Sequence, residues 1–259
     1  MAQAGNVANA NHKGIEMLIQ NDCLLALQNI ADKSVDLVLC DPPYGTTYAT
    51  WDTPLNWTRM WQELLRVGKP TTAYLFFSQQ PFSAKLLLTQ PDLFKYEIIW
   101  QKEKGVNFIT ASKRIMKAHE NILVFYDKQC TYNPQMVDGE PYVRTQGKCT
   151  AGETHSYIPN PTNKVSNGKR YPLSVQKFSR DMHRDKANHH PTAKPVGLLE
   201  WLIKTYTNEG DLVLDPTAGS GSTGVAAENT GRKFICIEQD EKYFQMMHRR
   251  LRNREQITC

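Results

Sequence analysis

The stretch 211-DLVLDPTAGSGSTG-224 runs from an apolar segment, through an acid and a proline, into three glycines. The first five residues have the branched, near-continuous apolarity of a strand buried on both faces. Gly219, Gly221 and Gly224 then fit G-x-G-x-x-G. The following 222-STGVAAENT-230 reads as a short helix that starts on a Ser-Thr cap and stops at Gly231. Strand, glycine turn and helix are the parts of a ligand-binding α/β sheet. The next strand, 233-KFICIE-238, ends on Glu238, 19 positions past Gly219. That spacing suits a dinucleotide whose ribose hydroxyls are gripped by the acid. No Lys follows the glycines, which excludes a Walker loop. Asp215 and Pro216, however, stand between the strand and the first glycine and put a carboxylate at the strand tip. A pyrophosphate is repelled by that acid, whereas an ammonium is attracted. S-adenosylmethionine has an ammonium, a carboxylate for backbone N–H groups and a ribose for Glu238. The loop therefore favours a methyl donor. On this stretch alone a dinucleotide stays open, as does a plain surface role for Glu238.

Working outward, similar apolar runs recur at 16-EMLIQ-20, 35-VDLVLC-40, 72-TAYLFF-77, 96-YEIIWQ-101 and 121-NILVFY-126. Helical spacing lies between several of them: 55-LNWTRMWQELLRV-67 gathers Leu55, Met60, Trp61, Leu64 and Leu65 on one face. The segment 195-PVGLLEWLIKTYT-207 opens on proline and buries Leu198, Leu199, Leu202 and Ile203. Strands alternating with helices predict an α/β fold, a doubly wound Rossmann-like sheet of seven strands. At 259 residues, 40% hydrophobic and 22% charged, the chain suits one large core with an inserted lobe. The six cysteines form no C-x-x-C pair, and Cys40 and Cys236 lie in apolar runs, as reduced core thiols do. No long apolar run suggests a membrane span, and the start, MAQAGNVANANHKG, lacks a signal-peptide core. A cytoplasmic protein is expected.

The second informative stretch is 39-LCDPPYGTTY-48, where Asp41 ends a strand. The exocyclic amine of adenine is a poor nucleophile because its lone pair is delocalised into the ring. A carboxylate (Asp41) and a neighbouring carbonyl (Pro42) supply two acceptors that hold both amine hydrogens. Pro42 and Pro43 stiffen the backbone and bring no competing N–H. Tyr44 offers a face for an extruded base. A simple strand-end turn explains Asp-Pro-Pro before Gly45 equally well when it is read alone. Paired with a glycine loop tipped by Asp215 in the same sheet, the chemical reading takes precedence.

Charge is unevenly placed. The whole chain carries a net +5, yet residues 128–194 hold eleven Lys or Arg against five Asp or Glu and show little periodicity. A long irregular basic loop in an α/β domain is expected to contact an anionic partner. Lys102, Lys104, Lys113, Arg114 and Lys117 form a second basic cluster after a strand. His189 and His190 have no third ligand at metal spacing, so no metal is expected.

Together, 41-DPPY-44 and 215-DPTAGSGST-223 resemble the DNA amino-methyltransferases of the permuted β group, in a phage or prophage-like branch. There the catalytic motif precedes the target-recognition region and the donor-binding motif follows. The resemblance spans residues 16–252. It implies a flexible terminus at 1–14, a catalytic half at 15–126, target recognition at 127–189, a donor half at 190–252 and a tail at 253–259. It implies catalysis by Asp41, Pro42, Pro43 and Tyr44. For S-adenosylmethionine it implies contacts from Asp22 and Cys23, then His190, Thr192 and Lys194 of 190-HPTAKP-195. From the glycine loop it implies Asp215, Ala218, Gly219, Gly221, Ser222 and Thr223, with Glu238 and Gln239 at the ribose. For double-stranded DNA it implies Lys113, Arg114, Arg144, Lys164, Lys169, Arg170 and Arg180. His119 and Glu120 lie in a segment, 118-AHENILVFY-126, that the group shares without an assigned role. Tyr48 and Trp51 are placed to close over a flipped base. A homodimer is implied by the resemblance only. The expected reaction is adenine-N6 methylation of DNA, as in restriction-modification. The alternatives are cytosine-N4 methylation, which more often goes with serine at the position of Asp41, and an idle DNA-binding module.

Overall fold

The computed structural model describes residues 7–8, 16–45, 52–106, 108–144, 164–179 and 193–255. Nine strands form its main sheet: β1 (Val7–Ala8), β2 (Glu16–Gln20), β3 (Val35–Cys40), β4 (Gly68–Ser78), β5 (Phe94–Val106), β6 (Lys117–Phe125), β11 (Val175–Lys177), β12 (Leu212–Asp215) and β13 (Lys233–Glu238). Their order is β1-β2-β13-β12-β3-β4-β6-β5-β11. The seven strands expected from sequence make the continuous middle. Two short edge strands extend it, so the count of seven becomes nine. From β2 to β4 neighbours are parallel, and β6 is antiparallel to both β4 and β5.

Strict alternation along the strands sorts the core into two layers. Leu37, Leu39, Leu75 and Phe77 face α4 (Val196–Tyr206), α5 (Ser222–Asn229) and α6 (Glu241–Glu255). Val38, Cys40, Tyr74 and Phe76 face α1 (Cys23–Leu27), α2 (Trp57–Val67) and α3 (Phe82–Thr89). Helices on both faces are what strands without a polar side require. Helix α2 is capped by Asn56, whose side chain accepts from the Arg59 N–H at 3.1 Å, and it buries Met60, Trp61 and Leu64 as its spacing predicts. Leu65, counted on that face in the sequence, is instead exposed. Helix α5 departs from expectation at its start. Its N-cap is Gly221, in the left-handed region at φ 76°, while Ser222 and Thr223 are buried within the first turn. A Cβ at residue 221 would stand 2.6 Å from Met247 Cγ, so glycine is required twice over. None of the helices among the described residues is long and apolar enough to cross a membrane.

The chain divides into two compact units, one of residues 1–133 with 174–259, the other Pro134–Leu173. The second holds two small antiparallel ladders, β7 (Val137–Asp138) with β10 (Lys169–Arg170), and β8 (Tyr142–Arg144) with β9 (Lys164–Ser166). The region marked for target recognition, 127–189, thus contributes both this unit and strand β11 of the main sheet. Cys130 is buried in the main core.

Candidate active site

In a sheet of this order, β12 leads through α5 to β13 on one side and β3 leads through α2 to β4 on the other. The crevice between diverging connections is where such sheets bind ligands. Four adjacent strands, β2, β13, β12 and β3, end there in acids or lead directly into them: Asp22, Glu238, Asp215 and Asp41. All four line one cavity of about 300 Å³, together with Cys23, Pro43, Lys194, Ala218, Gly219, Ser222, Thr223 and Gln239. Thr53, Leu55, Asn56 and Phe77, which the sequence did not mark as site residues, also line it. Pro42 is buried just behind it. His190, Thr192, Tyr48 and Trp51 lie outside the described residues.

The glycine loop is organised from within. Asp215 accepts the Thr217 N–H at 3.1 Å through Oδ1 and the Thr223 hydroxyl at 2.6 Å through Oδ2. Burial pushes its carboxyl up to about 7, with the charges of Asp41 and Glu238 adding to the rise. An ammonium placed beside it would relieve that strain, whereas a pyrophosphate would aggravate it. Glu238 accepts the Gly219 N–H (2.8 Å, Oε2) and the Asp240 N–H (2.8 Å, Oε1), and burial raises its carboxyl too. Asp22 caps α1, its Oδ1 accepting from Leu24 (2.9 Å) and Leu25 (3.1 Å). This set of acceptors fits a ligand with a cationic end and vicinal hydroxyls.

Thr217 pins the two strand tips together. Its hydroxyl donates to the Asp41 carbonyl at 3.1 Å and lies 3.2 Å from the Cys40 sulfur. The Asp41 side chain is held on both oxygens: Tyr44 donates its hydroxyl to Oδ1 at 2.9 Å, and Lys194 ion-pairs with Oδ2. Tyr44 stacks on Phe82 with ring centroids 4.9 Å apart and planes 25° apart. The Lys194 ammonium sits 5.1 Å over the Phe77 ring and 3.6 Å from Glu120 Oε2, while Glu120 Oε1 ion-pairs with Lys102. Two carboxylates and two ammoniums therefore alternate from the cavity wall into the protein. Lys102, Glu120 and Lys194 are each more than nine-tenths buried. Burial pushes the Asp41 carboxyl up, against the pull of Lys194. For Lys194 burial works against the charge, but Asp41 and Glu120 outweigh it and its proton is held more tightly than usual.

The Lys102–Glu120 pair carries no pattern in sequence: only the antiparallel pairing of β5 and β6 brings the two residues together. The resemblance set Lys194 beside the donor, and the structure also puts its ammonium on Asp41. Of the basic residues, Lys113 and Arg114 are exposed between β5 and β6. Lys169 ion-pairs with Asp138. Arg170 lies 4.7 Å over the Tyr142 ring and donates to the Glu140 carbonyl (2.6 Å) and the Ser166 hydroxyl (3.0 Å), so it serves the fold of its own unit. Arg144 and Lys164 pair across β8 and β9. Arg180 lies outside the described residues.

Comparison with known proteins agrees with this geometry. Residues 35–249 match the N6/N4 methyltransferase family, described as DNA methylase. The DNA adenine methyltransferase YhdJ of Escherichia coli K12 is 32% identical over 248 residues, covering 90% of this chain and 82% of YhdJ. The crystal structure of the M1.HpyAVI–SAM complex superposes with a TM-score of 0.62 at 23% identity, over 92% of this chain and 98% of that one. The cytosine-N4-specific PvuII DNA methyltransferase superposes at 0.66 with 17% identity, over 91% and 86%. At those identities the two structures speak to the fold alone.

Proposed function

The chain belongs to the N6/N4 family of DNA methylases, and from that premise we propose that it methylates the N6 amine of adenine in DNA with S-adenosylmethionine. The observation that carries this reading is the Asp41 carboxylate, fixed on both oxygens in a cavity that the Asp215-tipped loop of the neighbouring strand also lines. Bound in that cavity, S-adenosylmethionine supplies a methyl group on a sulfonium. Asp215 would face the donor's ammonium, Glu238 its ribose hydroxyls and Asp22 its adenine end. His190 and Thr192 of the same motif are proposed to flank Lys194.

Asp41 and the Pro42 carbonyl are proposed to accept the two hydrogens of the target amine. This turns the amine lone pair out of conjugation and towards the donor. Tyr44 and Lys194 keep the carboxylate from rotating, so the acceptor geometry is set before the base arrives. Phe82 covers one face of Tyr44, and the base is given the opposite one. No residue forms a bond to the base: the nitrogen–methyl bond would form as the donor's sulfur–methyl bond breaks, and the surplus amine proton would pass by way of the Asp41 carboxylate to water.

Lys113, Arg114 and Lys169 are proposed as phosphate contacts on double-stranded DNA, with Arg144, Lys164, Arg170 and Arg180 as further ones. The setting is the cytoplasm, and a homodimer is proposed on the resemblance alone. Support for adenine over cytosine comes from Asp41 and from the similarity to YhdJ, a DNA adenine methyltransferase. Cytosine N4 could make the same two hydrogen bonds, so the product must be identified. Unmethylated plasmid DNA is incubated with methyl-labelled donor and digested to nucleosides. Label in N6-methyladenine is expected. Label in N4-methylcytosine would overturn the base, and no label would overturn the enzyme.

A further inference from the structure

Strand β4 ends at Ser78, paired with Asn121, but β5 and β6 continue past it as a hairpin. Lys117, four residues before Asn121, still pairs with Val106, which adds about 13 Å at the strand rise. Because β6 is antiparallel to both β4 and β5, the hairpin leaves the sheet from the same edge as Asp41 and Asp215. At its base Lys117 donates to Gln79 Oε1 at 2.7 Å.

The tip is built. A 3-10 turn spans Phe108–Thr110. The Thr110 carbonyl accepts the N–H groups of Lys113 (2.9 Å) and Arg114 (3.0 Å), and its hydroxyl accepts Arg114 Nε at 2.9 Å. Yet this ordered tip turns large apolar side chains to solvent: Phe108 is 74% exposed, Ile109 87% and Ile115 97%. Around them are exposed Lys104, Lys113 and Arg114, and Glu103 is the one acid between positions 101 and 119.

A hydrogen-bonded apolar tip ringed by cations calls for a partner with an anionic exterior and an apolar interior. Duplex DNA is that partner: phosphates outside, stacked bases within. Extruding one base also leaves a gap in the stack next to the cavity. Resting on the reading of the chain as an enzyme of DNA, we infer that the 108–116 tip enters the stack beside the target. Phe108, Ile109 and Ile115 fill the gap, and Lys113 and Arg114 grip the flanking phosphates.

The methylated site is located first by sequencing plasmid DNA modified by the wild-type protein. Short duplexes then carry that site with the target base either paired or opposite an abasic position. The triple variant F108S/I109S/I115S is expected to lose about tenfold or more in kcat/KM on the paired duplex, because unstacking loses its support. On the abasic duplex, where the target has no partner to leave, it is expected to stay within about threefold of wild type. F108L/I115L, which keeps the apolar tip, is expected to restore the paired duplex. An equal loss on both duplexes would overturn the inference, as would no loss on either. So would an altered sedimentation coefficient with unchanged kinetics, which would make the tip a protein interface. Failure of the wild type to label any DNA would instead overturn the underlying function.

Discussion

Lys194 rests its ammonium on the Asp41 carboxylate, although 153 residues separate the two in sequence. The pair joins the catalytic motif to the segment just before α4, so the site exists only when both halves of the fold are assembled. Lys194 is expected to set both the position and the charge of Asp41. In Lys194→Met, only the Tyr44 hydrogen bond still opposes burial and the charge of Glu120 at Asp41, and its carboxyl binds a proton more readily. A group with a raised folded pKa loses its charge as pH falls through that value, so the acid limb of the kcat profile should move to higher pH. Removing one partner of a buried pair costs about 3–5 kcal/mol, which thermal unfolding should register. The double variant D41N/K194M should recover stability without activity.

Glu120 lies between Lys102 and Lys194. Glu120→Gln should destabilise the fold by roughly 3 kcal/mol or more, since it leaves Lys102 buried without its carboxylate. Adding Lys102→Met should return much of that loss. A double-mutant cycle in urea measures the coupling, and additive effects would argue against the pair.

Donor binding should depend on pH through Asp215. Its carboxyl is pushed up to about 7 by burial, and a cationic ligand binds the ionised form. A proton must therefore leave on binding at low pH. Affinity should rise up to tenfold per unit between about pH 5.5 and 7 and then level off. Asp215→Asn should bind the donor weakly and without that slope, as read by calorimetry.

Gly221→Ala forces a left-handed backbone on a residue with a Cβ and drives that Cβ against Met247. A loss of about 1–2 kcal/mol from the backbone alone would lower Tm by about 2–8 °C, with donor affinity falling alongside because α5 can no longer start at its present place.

Much of this was legible in the sequence because it is local. Runs such as 35-VDLVLC-40 and 233-KFICIE-238 are strands because no polar face interrupts them, and the acids that follow strands mark the ligand edge. Capping of α5 was misread because Ser-Thr is ordinary cap chemistry, and only the left-handed Gly221 shows that the turn begins one residue earlier. The alternating charges of Asp41, Lys194, Glu120 and Lys102 were illegible because strand register creates them. The packing of Arg170 on Tyr142 was illegible too, because it depends on a ladder between segments some thirty residues apart.

The central claim is that Asp41 holds the amine of the target base rather than the donor. Asp41→Ala is compared with wild type in two assays: turnover on unmethylated plasmid DNA and equilibrium donor affinity. Turnover is expected to fall by about a thousandfold or more, with donor affinity within about threefold of wild type. Near-normal turnover, or loss of donor binding in parallel with turnover, would contradict the account.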